Sequence, residues 1–312
     1  MERNITLDYF KIALSICVII AHNPFVSIYP PEGNDLWNQF LYILGWETTY
    51  SLGRIAVPAF FIINGFFLNL DDRAKVIKYV TKLIKLYIVW AIFYLPCYYP
   101  YLDIKSFFII FATGYYHLWY FPALIGAVIM LFFIHKIIKN KYALLIIAFT
   151  LFCIGYWIQD KNPYDNFELL KYRNFIFFGI PMVTIGYVLR QFDLQRIKKI
   201  LPYIIVLFAI ILFTEVYIYM EQQRVNNLYF SFFLICPALF IYFLINGKMG
   251  KDTSNGVIPL LSSAVFYIHP IIIRWTALLF DIDVITFPYV VITTFIIAYL
   301  IIQVNKTIKI FL

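Results

Sequence analysis

Long uninterrupted apolar segments recur along the whole of this 312-residue chain. A helix needs about 20 apolar residues to cross the hydrocarbon of a bilayer, which is ~30 Å thick. Six segments come near that length: Ile77–Leu95, Leu118–Ile134, Leu144–Ile158, Ile200–Met220, Leu228–Ile245 and Val284–Ile302. They are apolar on every face, whereas the strands of a membrane barrel alternate polar and apolar residues over about ten positions. The sequence therefore predicts an all-α, polytopic membrane protein.

Composition agrees with this class and excludes others. Hydrophobic residues make up 63% of the chain and charged residues 13%, whereas soluble domains are about half apolar and about a quarter charged. The net charge of +8 comes from lysines in short segments between apolar runs, which a membrane topology explains. We expect the lipid bilayer, and no nucleic acid, among the partners. The four cysteines lack the spacing of a disulfide framework or a zinc site, so no metal site is expected.

The first apolar segment, Ile5–Ala21, is predicted to be a retained helix. It carries Asp8 and Lys11. It is also not followed by the small-residue cleavage site that a secretion signal would have.

Basic residues predict which ends of the helices face the cytoplasm. They concentrate in residues 73–85, 135–141, 190–199 and 247–251 and at Lys306 and Lys309, and such segments are usually cytoplasmic. The alternate segments, residues 23–50, 96–116, 160–172, 221–227 and 280–283, are then expected outside. This gives about ten transmembrane helices with both termini cytoplasmic. Asp103–Ala112 is too short to cross and is predicted to be re-entrant or interfacial.

The chain is expected to form a single integral-membrane domain over residues 1–312, because no internal repeat or long linker divides it. Its chemistry must then come from polar residues within the helices or at their ends. A charge near the bilayer centre costs about 2.5–3.5 kcal/mol on insertion scales, so such residues are usually paired, water-facing or functional.

Seven ionisable residues are predicted between the bilayer midplane and the outer surface. They are His22, Arg54, His117, Arg173, Glu215, His269 and Arg274. Histidine is suited to proton transfer at neutral pH, and an arginine can hold an anion or a developing oxyanion. Their concentration in one layer predicts a site. The fourth histidine, His135, adjoins lysines and is expected to be interfacial, with no special role.

Lys11 and His22 are predicted to lie on one face of the first helix. They are eleven residues apart, which at about 100° per residue leaves them within ~20° of each other, three turns apart. Lys11 either takes part in the site or extends its amine to the cytoplasmic surface. The sequence leaves both readings open.

Several function classes lack their motifs in this sequence. We find no Gly-x-Ser-x-Gly elbow, Walker loop, HExxH or GxGxxG, so the expected chemistry is histidine-based. A glycan or small-metabolite transporter or flippase is the main alternative, because polar residues near the midplane also line substrate pathways. The interrupted half-helices expected of repeat-built transporters are not evident. A structural or sensory membrane module is the third reading.

Five segments together resemble the membrane-bound acyltransferase 3 family. Leu7–Lys11 followed by His22 is similar to its first helix, in which ten residues separate an arginine from a histidine. In this chain Lys11 stands at the position of that arginine. Gly53–Leu68 is similar to its second-helix signature of arginine, valine-proline, two phenylalanines and serine-glycine, with Asn64 in place of the serine. The other matches are Lys82–Trp90, His117–Tyr120 and Tyr267–Pro270.

The resemblance implies a membrane O-acyltransferase. Family members transfer an acyl group, usually acetyl and sometimes succinyl, from a cytoplasmic coenzyme A thioester to a hydroxyl or amine of a glycan. The chain resembles the short form without a fused extracytoplasmic domain, as in bacterial inner-membrane enzymes that modify capsule, exopolysaccharide or O-antigen sugars. Acetyl- or succinyl-coenzyme A is then the donor substrate, no cofactor is tightly bound, the acceptor is a glycan, and a homodimer is a candidate assembly. Family members also include the membrane part of serine racemases.

The resemblance also implies roles for individual residues. His22 stands where the essential histidine is expected, as a general base or a transient acyl carrier. Arg54 and His117 are expected to stabilise the oxyanion or position the sugar, and Glu215 to orient one of them. Lys11 stands where a functional arginine is expected; a lysine keeps the charge but lacks the bidentate fork. Substrate or donor binding is expected of Lys11, Asn64, Trp119, Arg173 and His269.

Overall fold

The structure is a computed structural model that describes residues 3–24, 26, 28–31, 33, 35–98, 103–161, 169–280 and 286–312. Parts of four of the segments predicted to face outward, residues 23–50, 96–116, 160–172 and 280–283, lie outside these ranges. All of the candidate site residues lie within them.

Helices account for nearly all of the regular structure. The α-helices are α1 (Ile5–His22), α2 (Leu36–Glu47), α3 (Ala56–Phe67), α4 (Arg73–Tyr98), α5 (Ile104–Thr113), α6 (Tyr120–Ile137), α7 (Lys141–Lys161), α8 (Leu169–Tyr172), α9 (Ile180–Leu189), α10 (Leu201–Glu221), α11 (Phe232–Ile245), α12 (Val257–Leu279) and α13 (Thr286–Ile308). Two π-helices, Thr48–Leu52 and Phe175–Gly179, precede α3 and α9. Two 3₁₀ turns (Tyr116–Trp119 and Leu194–Ile197) and two short strands, β1 (Arg3–Asn4) and β2 (Met249–Gly250), complete the list.

Seven helical segments in the described ranges are long and apolar enough to cross a membrane. They are Ile5–His22, Leu36–Phe67, Tyr116–Ile137, Lys141–Lys161, Leu201–Glu221, Val257–Leu279 and Thr286–Ile308. Three shorter apolar helical segments are Ile104–Thr113, Phe175–Leu189 and Phe232–Ile245. The chain is therefore an almost entirely helical, multi-pass membrane protein, as predicted. The count of about ten crossings and the cytoplasmic location of both termini stay predictions.

One predicted segment has a different form in the structure, and another agrees in length with its prediction. Residues 23–50 were expected to connect two spans outside the membrane, but Leu36–Glu47 is helical and runs without a break through the first π-helix towards α3. The segment predicted to be short and non-spanning is α5, which begins after the capping residue Asp103 and buries no side chain.

The chain forms two compact units. The first unit comprises Met1–Val57, Gln195–Ile310 and Leu312, and the second comprises Pro58–Leu194 and Phe311. A single domain over residues 1–312 stays a prediction.

In the first unit, α1 packs on α12, α12 on α13, and α10 on α11 and α2. β1 pairs antiparallel with β2, so that Arg3 lies opposite Gly250. Asn4 caps α1 by accepting a hydrogen bond from the backbone N–H of Leu7, and its amide also donates to the carbonyl of Leu244. The start of α1 is thus tied to the segment between α11 and α12.

In the second unit, α6 packs on α4, α9 and the second π-helix, and α7 packs on α9. His135 lies in the last turn of α6 and is buried, whereas the sequence placed it among the lysines of a connecting segment. Its Nε2 lies 3.2 Å from the Asp71 carboxylate, and the Tyr187 hydroxyl lies 3.0 Å from the same nitrogen. The hydrogen bond with His135 is the main cause that lowers the pKa of Asp71. His135 therefore joins α6, α9 and the α3–α4 connection.

Two glycines allow α3 and α9 to approach closely. A Cβ on Gly65 would collide with the backbone carbonyl of Val183, and one on Gly186 would collide with that of Ile62. Small residues are the usual means of close helix packing in membranes.

We predict that Gly186→Ala destabilises the protein by about 1–3 kcal/mol or more, because the backbone atoms that a methyl group meets cannot move aside as a side chain can. Thermal unfolding in detergent should show a lower midpoint. Ala112→Val, which enlarges an exposed residue of α5, is the control and should leave the midpoint unchanged. Equal midpoints for the two variants would contradict the close packing.

Candidate functional site

The first π-helix places Arg54 in the first unit. π-helices are rare and often occur at functional sites. Gly53 follows this π-helix directly, and a Cβ at this position would lie 2.9 Å from the backbone nitrogen of Ala21. The residue after Ala21 is His22, so the π-helix packs against the last turn of α1 beside the predicted catalytic histidine.

The Arg54 guanidinium lies between an aromatic ring and a backbone carbonyl. Its Cζ is 4.7 Å from the centroid of the Tyr50 ring, and Nη1 donates a hydrogen bond to the carbonyl of Asn226. Tyr50 packs in turn on Trp46, with ring centroids 4.7 Å apart, and Trp46 on Tyr42. Tyr42, Trp46, Tyr50 and Arg54 recur at intervals of four residues, so their side chains form one stripe along the helical segment. The stripe ends at Arg54 and fixes the direction of its side chain.

Glu215 on α10 holds the start of α11. Its two carboxylate oxygens accept hydrogen bonds from the backbone N–H groups of Phe230 and Ser231, at 2.8 and 2.9 Å. Tyr229, which directly precedes these two residues in the chain, is fully buried. The structure thus assigns Glu215 a structural task that the sequence did not predict.

His22 and His269 lie side by side in the first unit. Their rings are stacked with centroids 5.4 Å apart and an interplanar angle of 26°. His22 is half-buried at the end of α1, whereas His269 is fully buried within α12. The Nδ1 atom of His269 lies 2.9 Å from the carbonyl oxygen of Phe266. Two of the predicted site residues therefore meet directly.

Lys11 belongs to a separate charged cluster at the start of α1. Its amine is 2.7 Å from the buried carboxylate of Asp8, which also pairs with the guanidinium of Arg3 at 2.6 Å. Lys11 and His22 are about 16 Å apart along the helix axis, given a rise of about 1.5 Å per residue. Lys11 therefore cannot contact the same reacting atoms as His22.

Three predicted site residues of the second unit lie near the 3₁₀ turn. His117 is 3% exposed and meets the Tyr94 ring edge-on, with centroids 4.9 Å apart. Arg173 stacks on the face of Trp119, its Cζ 4.7 Å from the ring centroid. Arg173 lies two residues before the second π-helix, so each π-helix has one of the predicted arginines close to one end.

Asn64 links two tyrosines of the second unit. Its amide nitrogen donates to the Tyr120 hydroxyl at 2.8 Å, and its amide oxygen accepts from the Tyr79 hydroxyl at 2.5 Å. A serine at this position, as in the family signature, would be too short to make the same three-residue network.

The sequence did not identify Glu47, Thr49 and Asn226. One carboxylate oxygen of Glu47 accepts a hydrogen bond from Ser51, and the other is buried with no hydrogen-bond partner among the described residues. The buried Thr49 hydroxyl and Asn226 amide nitrogen likewise lack such partners. Polar groups buried in this way bind ligands or water, because leaving them unsatisfied costs about 1–3 kcal/mol each. The polar run Glu47–Ser51 was a signal, but it lay in a segment assigned to a connection.

Two further predictions concern Arg274 and metals. Arg274 is exposed on α12, so it is not part of the buried group. Within the described ranges, no group of three or more His, Cys, Asp or Glu side chains is arranged to hold a metal ion.

We predict that Glu215→Gln destabilises the protein by about 1–3 kcal/mol, because glutamine has one acceptor oxygen for two backbone amides. Thermal unfolding measures the loss. Glu221→Gln, on the same helix but exposed, is the matched control and should unfold like the wild type. An unchanged midpoint for Glu215→Gln would show that its bonds to α11 contribute little.

Comparisons with known proteins identify relatives of the chain. A family profile described as an acyltransferase domain, that of the acyltransferase 3 family, matches residues 4–303. An amino-acid racemase of Enterococcus faecalis is 26% identical over 347 aligned residues, which cover 97% of this chain and 47% of that protein. A serine/alanine racemase of Enterococcus gallinarum is 25% identical over 62% of this chain and 30% of that protein. The chain thus spans about half the length, or less, of these relatives. No solved structure matches it.

Proposed function

Because the chain belongs to the acyltransferase 3 family, we propose that it is a membrane O-acyltransferase of the bacterial inner membrane. It moves an acetyl or succinyl group from cytoplasmic acyl-coenzyme A to a hydroxyl of a cell-surface or exopolysaccharide glycan. The donor is a substrate, and no tightly bound cofactor takes part.

The observation that carries this proposal is the contact between His22 and His269. Two stacked imidazoles in a membrane-spanning protein, one fully buried and one half-buried, are costly unless they serve chemistry or a ligand. Histidine can take up and release a proton at neutral pH, which transfer of an acyl group to a hydroxyl requires. The pair therefore supports acyl transfer with His22 as the reacting base.

The reaction needs one proton to move between two substrates. His22 removes the proton from the acceptor hydroxyl while the hydroxyl oxygen bonds to the carbonyl carbon of the thioester. The carbon–sulfur bond then breaks, and the proton passes from His22 to the thiolate of coenzyme A. Arg54, in the same unit as His22, is proposed to stabilise the oxyanion or to position the acceptor. The role of His117 stays a prediction.

The donor is proposed to enter at the charged start of α1. Arg3 and Lys11 there share a single carboxylate, Asp8, so the cluster keeps one positive charge. Lys248, at the adjoining strand pair, adds another. This end suits the phosphates of coenzyme A, and the distance of about 16 Å along α1 to His22 suits a long donor whose thioester reaches the histidine.

The acceptor is proposed to use the polar groups around the first π-helix. Glu47, Thr49 and Asn226 offer a carboxylate, a hydroxyl and an amide for sugar hydroxyls. In the second unit, Trp119 with Arg173 provides an aromatic and cationic surface, and Asn64 remains a candidate binding residue. Glu215 is proposed to act through the position of α11.

We predict that His22→Ala lowers the rate of acetyl transfer by about 100-fold or more, because general-base catalysis typically contributes about 10²–10⁴-fold. Purified protein in nanodiscs, radiolabelled acetyl-coenzyme A and glycans from the bacterial surface provide the assay. His135→Gln, which changes a histidine outside the proposed site, is the control for folding and should retain transfer. Full activity of His22→Ala would refute the mechanism.

We predict that Lys11→Ala weakens binding of acetyl-coenzyme A about tenfold, which corresponds to about 1.4 kcal/mol. Isothermal titration calorimetry on folded protein measures it. Lys75→Ala is the matched control, because Lys75 also pairs with an aspartate three residues earlier, Asp72, but is exposed in the second unit. Lys11→Arg should retain binding.

A different result would favour transport. If folded protein binds neither acetyl- nor succinyl-coenzyme A, the acyltransferase proposal fails. The buried polar groups near the first π-helix would then be read as part of a pathway for a glycan or a small metabolite.

A further inference from the structure

The backbone leaves the helical conformation at Asn23, directly after the last residue of α1, His22. A proline disfavours the α-helical conformation in the residue before it, and Pro24 follows here. Asn23 accordingly has φ −143° and ψ 80°. Its backbone N–H still donates to the carbonyl of Ile19 at 2.8 Å, so the side chain is the part of Asn23 that remains available to another group.

The side-chain amide of Asn23 is a buried donor without a partner in the described part of the chain. The residue is 2% exposed, and its Nδ2 atom makes no hydrogen bond there. Asparagines at helix ends commonly bond to nearby backbone groups, but the amide nitrogen of Asn23 does not. A buried donor left unsatisfied destabilises the protein. A bound ligand that accepts a hydrogen bond from Asn23 would remove this cost.

A second such donor packs beside the same turn of α1. A Cβ at Gly53 would lie 2.9 Å from the backbone nitrogen of Ala21 and 2.5 Å from the carbonyl oxygen of Thr49, so the first π-helix adjoins the end of α1. The Thr49 hydroxyl is buried with no partner among the described residues, whereas the Thr48 hydroxyl donates to a carbonyl of its own helix. Two separate elements thus leave donors unused next to His22, which indicates a polar ligand there.

The chemistry proposed for His22 needs a donor of this kind. The C-terminal end of a helix carries partial negative charge, which stabilises an imidazolium in its last turn, and His22 lies in the last turn of α1. The same partial charge opposes the negative charge that develops on the thioester oxygen during acyl transfer. Hydrogen-bond donors directed at that oxygen have to offset this opposition.

Asn23 starts close enough to His22 to supply the donor. A general base holds the attacking oxygen within about 2.6–3.2 Å, and the oxyanion is only two covalent bonds from that oxygen. Consecutive Cα atoms are about 3.8 Å apart, so the side chain of Asn23 begins beside that of the base. Asparagine amides serve as oxyanion donors in other acyl-transfer enzymes, where removal of one donor lowers kcat about 100- to 1000-fold.

We propose that Asn23 is a catalytic residue that donates a hydrogen bond from Nδ2 to the thioester oxygen of the acyl donor. This rests on the proposed function and leaves Arg54 to position the acceptor. The acceptor oxygen bonds to the carbonyl carbon while His22 takes its proton, and the carbonyl electron pair moves to the oxygen that Asn23 contacts. When that pair returns, the carbon–sulfur bond breaks and His22 protonates the thiolate of coenzyme A. Asn23 gains and loses no proton.

Asn23→Leu tests this role, because leucine has a similar size and no donor. Release of coenzyme A thiol from acetyl-coenzyme A by full-length protein in nanodiscs gives the rates, with methyl glucoside, methyl galactoside and methyl N-acetylglucosaminide as acceptor probes. We expect kcat to fall about 100- to 1000-fold. KM for acetyl-coenzyme A should stay unchanged, because the bond strengthens only as the oxyanion forms.

Thermal unfolding distinguishes a catalytic role from a structural one. Replacing an unsatisfied buried donor by an apolar group of similar shape is neutral or stabilising, so Asn23→Leu should keep or raise the unfolding midpoint while it loses activity. A lower midpoint would show that the amide stabilises the fold and would overturn the proposal. Asn23→Ala, which adds no bulk, should lose activity to the same extent.

Thr294→Val is the matched control in the same unit. It removes another buried donor, on α13, that has no partner among the described residues, and it should leave kcat unchanged. A higher KM with unchanged kcat in Asn23→Leu would show that Asn23 only binds substrate. Calorimetry separates the two proposals: wild-type protein that binds no acetyl-coenzyme A refutes the proposed function and this role with it, whereas full activity of Asn23→Leu refutes the role of Asn23 alone.

Discussion

Hydrocarbon offers no hydrogen bonds, so every polar group inside this bundle must find its partner within the protein or in a ligand. The buried carboxylate of Asp8 is matched by Arg3 and Lys11, and the half-buried carboxylate of Glu215 by two backbone amides. The His269 ring satisfies a carbonyl of its own helix. The same constraint makes the few buried polar atoms without such partners, as at Glu47, informative about where a ligand binds.

Departures from the regular α-helix coincide with the candidate site residues. Arg54 follows one π-helix and Arg173 precedes the other, while His269 adjoins a proline within α12. Each departure removes or shifts backbone hydrogen bonds and so redirects nearby groups. The combination resembles other membrane proteins, in which irregular backbone is tolerated where it is buried in protein or lines a cavity.

The sequence predicted the structure best where a single physical property, such as the length of an apolar segment, decides the outcome. Apolar length predicted α10 almost to the residue, Ile200–Met220 against Leu201–Glu221. The pairing of Lys11 with Asp8 was within reach too, because residues three apart on a helix are neighbours. The contact of His22 with His269 depends on how distant helices pack, and no local pattern encodes it. Glu47 was missed because a helix was read as a connection.

The first π-helix also bears on how this protein could have evolved. A π-helix contains one more residue than the α-helical turn that it replaces, so it is equivalent to a single-residue insertion. Loss of one codon within Thr48–Leu52 would restore regular α-helix and rotate the preceding residues against Arg54 by about 100°. The stripe that ends at Arg54 would then be broken, although every one of its side chains would still be encoded. The length of this stretch therefore matters to the position of Arg54 as much as the identity of its residues does.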